Sequence, residues 1–286
     1  MKPRRIKTAL AATAFFGLAV TGMAIADPVD DKLVIDGVEI KTTSEAPAHL
    51  DGALPDLVSG WHYRDSETRA MQADDFDNPG MIFVDRGLDI WNAVDGSEDK
   101  SCASCHEGPE SMAGLRAVTP RVDAETGDVM NIEAYINDCR TTRMGAEAWA
   151  LKDAPMTDVL ALISLQSRGE VMNVAIDGPA APIYEMGKEI YYTRYGQLEL
   201  SCANCHEDNN GNHIRSDHLS QGHTNGFPVY RLKQAALLTA QHRFVGCVRD
   251  TRAETFGLGS DELNALELYV ASRGNGLAVE GVGVRH

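Results

Sequence analysis

Ser201-Cys202-Ala203-Asn204-Cys205-His206 decides how this chain is read. C-x-x-C-H is the attachment run of a c-type haem: two thiols three positions apart add to the vinyl groups, and the next residue, a histidine, lies under the iron. The same run stands one hundred residues earlier, as Ser101-Cys102-Ala103-Ser104-Cys105-His106. One copy is a short signal; two copies at equal places in a repeat are a strong one. A redox C-x-x-C or a zinc site are the alternatives. Zinc requires further paired Cys or His at ligand spacing, which the sequence does not offer. Two covalently bound c-type haems are therefore expected, held by Cys102 and Cys105 and by Cys202 and Cys205, with His106 and His206 as proximal iron ligands.

Around each run the chain repeats itself. Gly87-Leu88-Asp89-Ile90-Trp91 answers Gly187-Lys188-Glu189-Ile190-Tyr191 at the same offset of one hundred, Cys139 answers Cys247, and Ser167-Arg168-Gly169 answers Ser272-Arg273-Gly274. Each unit thus has a leading helix with Gly and an aromatic four apart, a haem run, a lone cysteine and a closing helix. The closing helices are expected at Asp158 to Gln166 and Asp261 to Ser272, capped by Thr157 and Ser260. Asp177-Gly178-Pro179-Ala180-Ala181-Pro182 reads as a linker. Ahead of the repeat, Leu33-Val34-Ile35 and Val38-Glu39-Ile40 are strand-like, and Asn78-Pro79-Gly80 is a turn signal, so this stretch is read as an arm packed on the first unit. The expected architecture is mainly α: a signal peptide over 1–26, an extended N-terminal arm over 27–80, and tandem cytochrome-c-like domains over 81–177 and 178–286.

The signal peptide rests on Lys2, Arg4, Arg5 and Lys7, an apolar run from Thr8 to Val20, and an Ala24-Ile25-Ala26 cleavage site. That run is too short to span a bilayer stably, and no later stretch approaches the length, so an exported product without a membrane span is expected. Formal net charge is −16, and the leader holds four of the 26 basic residues and none of the 42 acidic ones. So acidic a chain argues against nucleic acid or an anionic membrane as partner. A small anionic substrate would need a local basic spot.

Six cysteines are present, and the haem runs use four. Cys139 and Cys247 remain, one after each run. The last methionine is Met186, so the second unit has no Met after its haem run, where many c-type carriers find a distal ligand. Its candidates are Cys247 and His213, His218, His223, His242 or His286; the first unit offers Cys139 against Met112, Met130, Met144 and Met156. Distal thiolate ligation explains both lone cysteines by one rule. The alternative is a Cys139–Cys247 disulfide, which an oxidising compartment allows. A thiolate ligand disfavours a simple relay and points to catalysis, with Cys247 as nucleophile. Arg243, Arg249 and Arg252 lie near it, and guanidinium charge both favours thiolate and suits oxyanions. Arg243 falls one helical turn before Cys247 if a helix from Tyr230 to His242 continues; Tyr135 stands at that place before Cys139, so the two sites should differ in activity.

With these residues in view the chain resembles the SoxA family, the dihaem c-type subunits of the periplasmic sulfur-oxidation (Sox) system. The carriers are Ser59-Gly60-Trp61, Met71 to Met81, both C-x-x-C-H runs and Arg243-Phe244-Val245-Gly246-Cys247. The resemblance implies an L-cysteine S-sulfotransferase in the periplasm, working with a small monohaem partner (SoxX-like) to join thiosulfate oxidatively to a cysteine of a sulfur carrier (SoxYZ-like). It further implies Cys247 as active-site ligand, found in the family as a persulfide, Arg243 as an anion holder, and Cys139 as distal ligand of the first haem. A dihaem electron carrier without transferase activity is the competing reading.

Overall fold

The computed structural model describes residues 32–286, so the expected signal peptide lies outside the described residues. The chain opens with a hairpin, β1 (Leu33–Ile35) and β2 (Val38–Ile40), in which Leu33 faces Ile40. Its turn, Asp36-Gly37, has positive φ at both residues, the backbone that a two-residue hairpin needs. β3 (Thr43–Glu45) pairs antiparallel with β4 (Asp56–Val58), and α1 (Ser66–Ala73) follows, with Asp65 capping it by accepting from the Thr68 amide at 2.7 Å.

The first repeat unit runs through α2 (Met81–Asn92), α3 (Ala103–His106), α4 (Leu115–Val118), the hairpin β5 (Arg121–Val122) and β6 (Val129–Met130), α5 (Ile132–Arg143) and α6 (Ala154–Leu165). The second runs through α7 (Ala181–Tyr192), α8 (Cys202–His206), the hairpin β7 (His213–Ile214) and β8 (Asp217–His218), then β9 (Val229–Arg231), β10 (Ala236–Leu238), α9 (Ala240–Asp250) and α10 (Asp261–Arg273). The last strand, β11 (Gly283–Arg285), pairs parallel with β9, giving the order β10-β9-β11.

The repeat has a steric origin. A Cβ on Gly87 would meet the Asp158 carbonyl oxygen at 2.3 Å, and one on Gly187 would meet that of Ala265 at 2.1 Å. Each leading helix therefore crosses its closing helix backbone to backbone, α2 on α6 and α7 on α10, and only glycine fits. One turn later Trp91 and Tyr191 are both buried and fill the space beside the crossing. Gly96 and Gly196 repeat the device: both have positive φ, and a Cβ on either would meet a carbonyl oxygen at 2.1 Å, that of Met144 or of Thr251.

Three details differ from the sequence expectations. The closing helix of the first unit begins at Ala154, with Asp153 at its N-cap, because Pro155 sits comfortably in a first turn. Thr157 instead donates to the Ala154 carbonyl within the helix, whereas Ser260 caps α10 as expected. Tyr230 lies in β9 and not in a helix; pairing with β11 and β10 overrides local propensity, and α9 starts only at Ala240.

The arm packs chiefly on the far end of the chain, and meets the first unit mainly where Arg168 pairs with Asp75 at 2.8 Å. Leu33, Ile35, Ile40 and Trp61 form a cluster with Ala278, and Leu50, Leu54 and Leu57 form another with Leu277. The buried carboxylate of Glu280 gathers the rest. It accepts from Ser59 Oγ, from Gln72 Nε2 at 2.8 Å, from Asn225 Nδ2 at 3.1 Å and from Arg285 Nη2 at 2.7 Å. The Asn78-Pro79-Gly80 turn wraps over Val282, with Asn78 Nδ2 donating to the Val282 carbonyl at 2.9 Å. The tail continues inward: Val282 and Leu237 join the first unit's core of Val84, Trp91, Ile132, Met156 and Leu160. In return, Ala117, Met172 and Val174 join the second core of Tyr191, Leu266 and Tyr269. Among the described residues no helix is long and apolar enough to cross a membrane.

Candidate functional site

Both haem runs form a short helical turn, α3 and α8, so each pair of thiols projects from one turn with its histidine directly after. Ser201 makes a capping box with Asn204, accepting from the Asn204 amide at 3.2 Å while the Asn204 side chain accepts from the Ser201 amide at 3.0 Å. Ser101 and Ser104 repeat the exchange at 3.2 and 2.9 Å. These caps fix the turn that sets the thiols' spacing.

Cys139 and Cys247 lie on equivalent helices that converge on these runs. α5 starts at the N-cap Asn131, which accepts from the Ala134 amide, and α9 at Thr239, which accepts from the His242 amide. In the first unit Cys139 Sγ is 3.9 Å from His106 Nε2, so the two expected axial donors approach each other. The Trp91 indole donates to the Glu107 carbonyl at 3.1 Å and holds the end of the run against α2. Burial raises the Cys139 thiol pKa, with Cys105 and Asp138 adding to it and Arg143 opposing.

In the second unit the imidazole of His206 is half-buried, and its desolvation pushes the pKa down to about 4, against the opposing hydrogen bond to Ser220. His206 Nδ1 donates to the Ser220 carbonyl at 2.7 Å. That bond fixes the tautomer and leaves Nε2 with its lone pair free, the form in which imidazole ligates a metal. The supporting loop comes so close that a Cβ on Gly222, whose φ is +79°, would meet His206 Cγ at 2.7 Å. Sequence reasoning missed both residues. Ser220 acts through a backbone carbonyl, which no side-chain pattern announces, and Gly222 is its only trace.

Cys247 and Arg243 share α9 one turn apart, and both face the second run. The Cys205 thiol is raised first by burial and then by the charge of Cys247, and is lowered by Arg243; Cys202, raised to about 12 chiefly by burial, also feels Cys247. Arg243 makes no side-chain hydrogen bond or ion pair among the described residues. Arg249 is exposed and pairs with the neighbouring Asp250 at 3.2 Å, and Arg252 lies just past the end of α9 with a positive φ. At the matching place in the first unit the Tyr135 hydroxyl accepts from Arg121 Nε.

The rival ligands are engaged elsewhere. No disulfide joins Cys139 to Cys247. His213 and His218 stack at 4.4 Å on the β7–β8 hairpin. His223 pairs with Gln221 at 2.9 Å, His242 with Thr239 at 3.1 Å, and His286 with Asp65 at 3.5 Å. Met144 and Met156 are buried, Met156 within the first core. The donor set of two thiols, a locked imidazole and a lone cysteine fits a covalently held haem in each unit: Cys102, Cys105, His106 and Cys139, then Cys202, Cys205, His206 and Cys247.

The family described as SoxA/TsdA, cytochrome c domain, matches residues 86–172 and 186–279. The L-cysteine S-thiosulfotransferase subunit SoxA of Paracoccus pantotrophus is 66% identical, covering 99% of this chain and all of the relative. The subunit of the same name from Rhodovulum sulfidophilum is 51% identical over 97% of each chain. Among solved structures, the crystal structure of SoxXA from P. pantotrophus superposes with a TM-score of 0.88 at 67% identity, covering 91% of this chain and all of that one.

Proposed function

The chain belongs to the SoxA family of cytochrome c proteins, with covalently bound haem, and from that premise we propose that its second unit carries the reacting thiol of an L-cysteine S-thiosulfotransferase. It takes part in this activity as a two-haem subunit in the periplasm, together with a SoxX-like monohaem partner; thiosulfate is the substrate and a SoxYZ-like carrier the acceptor. The relatives' shared name and the solved SoxXA complex support this reading.

The observation that carries it is the pairing of Cys247 with Arg243 on one face of α9, beside Cys202 and Cys205. Haem, when bound, supplies an acceptor for single electrons. The protein's own residues do the rest. Cys247 thiolate, or the persulfide it carries, forms a sulfur–sulfur bond with the outer sulfur of thiosulfate; two electrons leave and no proton is needed, because both partners are anions. Arg243 offers its planar fork to the sulfonate oxygens and offsets the repulsion between two anions that must meet. The carrier's cysteine thiolate then attacks that same thiosulfate sulfur, the newly made sulfur–sulfur bond breaks, and Cys247 leaves as the thiolate or persulfide it was at the start. The net change is carrier thiolate plus thiosulfate giving the carrier S-thiosulfonate and two electrons. His106 and Cys139 would hold the iron of the first haem, and His206 and Cys247 that of the second.

The test is thiosulfate-dependent coupling to the carrier cysteine by Cys247→Ala in complex with the monohaem partner. Haem attachment should persist, since Cys202 and Cys205 are untouched, and coupling should be lost. Near-normal coupling with full haem content returns the chain to the electron-carrier reading.

A further inference from the structure

The acidic chain gathers a set of guanidinium groups near Cys247 and Arg243. Arg64 ends the 3-10 turn Gly60–Tyr63 of the arm, and its Nη2 donates to the His218 carbonyl at 2.6 Å. Arg231 ends β9, opposite Arg285 of β11. The Nε of Arg64 and that of Arg231 are both buried and have no hydrogen-bond partner. Among the described residues the side chain of Arg231, like that of Arg243, makes no hydrogen bond or ion pair at all.

These groups sense one another. Arg64 is pushed down to about 10 by burial first, then by Arg285 and Arg231, against Asp217 and Asp65. Arg231 is lowered by burial and by Arg243, against the charges of Asp217, Cys247 and Asp250. The nearby acids are already engaged: Asp217 pairs with Lys233, Asp250 with Arg249, Asp65 with the Thr68 amide, and Glu280 neutralises Arg285. Arg64, Arg231 and Arg243 are therefore like charges crowded together, partly desolvated, and without carboxylates of their own. Burying unpaired charge and leaving buried donors unbonded are both costly, and an anion would relieve both. Planar forks select an oxyanion over a halide.

We propose that Arg64 and Arg231, together with Arg243, form an oxyanion-binding site that runs from Cys247 to the N-terminal arm. The inference rests on the assignment of Cys247 as the reacting thiol and adds to it: the arm contributes a cation to the substrate's path. The oxyanion is the sulfonate end of thiosulfate or a carboxylate of the second haem, and the two leave different signatures.

The experiment uses the haem-loaded chain in complex with its monohaem partner and compares Arg231→Gln, Arg64→Gln and their Lys counterparts. KM and kcat for thiosulfate are measured, with sulfate as an unreactive competitor, and the second haem is titrated potentiometrically between pH 5 and 9 without thiosulfate. A sulfonate site predicts KM raised about tenfold by either Gln change, sulfate inhibition weakened in step, kcat held within about twofold, and an unshifted potential. A haem carboxylate site predicts a shifted potential with altered pH dependence and unchanged KM. Should Arg231→Gln not fold, Arg231→Lys keeps the charge without the fork and is expected to show the same effect about threefold in size. Unchanged KM, sulfate inhibition and potential in the folded variants would overturn the proposal. Coupling that survives in Cys247→Ala while Arg231→Gln still raises KM would instead overturn the role of Cys247 and leave the oxyanion site standing.

Discussion

Cys139 and Cys247 each stand eight residues after the N-cap of their helix, Asn131 and Thr239. The two thiols are thus offered to their haem runs by the same geometry, and what differs is the residue one turn earlier. Arg243 precedes Cys247, whereas Tyr135 precedes Cys139 and its hydroxyl is taken up by Arg121. Cys139→Ala should therefore change the visible and electron-spin-resonance signature of the first haem while keeping much of the turnover. Cys247→Ala should change the second signature and abolish coupling. Complete loss of turnover in Cys139→Ala with both haems present would contradict the asymmetry.

Arg243→Lys keeps a positive charge but loses the two parallel donors that match a sulfonate. Thiosulfate turnover should fall about tenfold, with haem content and the second haem's spectrum unaltered. Steady-state kinetics on the variant complex check this, and full activity would mean that charge alone suffices at that place.

The helix crossings predict a stability effect far from either thiol. Alanine at Gly87 or Gly187 puts a methyl group 2.3 or 2.1 Å from a carbonyl oxygen that is fixed in a helix. Neither backbone can yield without separating the leading and closing helices. Each change should cost about 1–3 kcal/mol or more, seen as a lowered thermal midpoint. Gly211→Ala is the control for crowding, since nothing lies within 4 Å of its added Cβ, although its own φ is positive.

Much of this was legible in the sequence for one reason: the C-x-x-C-H residues and the glycines that permit the helix crossings are both fixed by sterics, so both recur at one-hundred-residue offsets. The N-cap Ser260 belongs to that legible class because a cap is a local bond, although the same reading set the first unit's cap at Thr157 where Asp153 holds it. What stayed hidden depends on chain returning from far away. Tyr230 looked helical because its strand partner, Val284, is more than fifty residues downstream. The arm seemed to belong to the first unit because its partners, Ala278 and Glu280, lie at the other end of the chain. Arg64 and Arg231 joined the site only through that same docking.

Glu280 makes the docking pH-sensitive in a defined direction. Burial alone would raise its pKa, but Arg285 and the donors Ser59 and Gln72 hold it below the usual carboxylate value. A depressed carboxylate contributes stability that is fully present above its unfolded value and is lost as pH falls through its folded one. Denaturant unfolding should therefore show stability declining in that acid range. Glu280→Gln should cost about 3–5 kcal/mol at neutral pH, because Arg285 is left paired with a neutral group. The gap between variant and parent should narrow as pH falls; a gap constant from pH 7 to pH 3 would show that the carboxylate's charge is not what holds arm, loop and tail together.

The His206–Ser220 bond yields a prediction confined to one haem. Ser220 accepts the Nδ1 proton at 2.7 Å, and Gly222 brings the loop within contact of the ring. Gly222→Ala would press its methyl on the imidazole and would also strain a backbone whose φ is +79°. The ring must tilt or the loop must lift. A tilt turns Nε2 from its aim, and a lifted loop takes the Ser220 carbonyl away, so that the imidazole loses the acceptor that makes it a stronger ligand. Both routes weaken proximal ligation at the second run and leave Cys202 and Cys205 to hold the porphyrin. The variant should keep its full complement of covalent haem on a denaturing gel. Its second low-spin resonance signal should shift or turn partly high-spin, and the first signal should stay where it is, because His106 stands on α3 of the other unit. Equal shifts in both signals would mean that the loop acts through the shared core and not on the ring it touches.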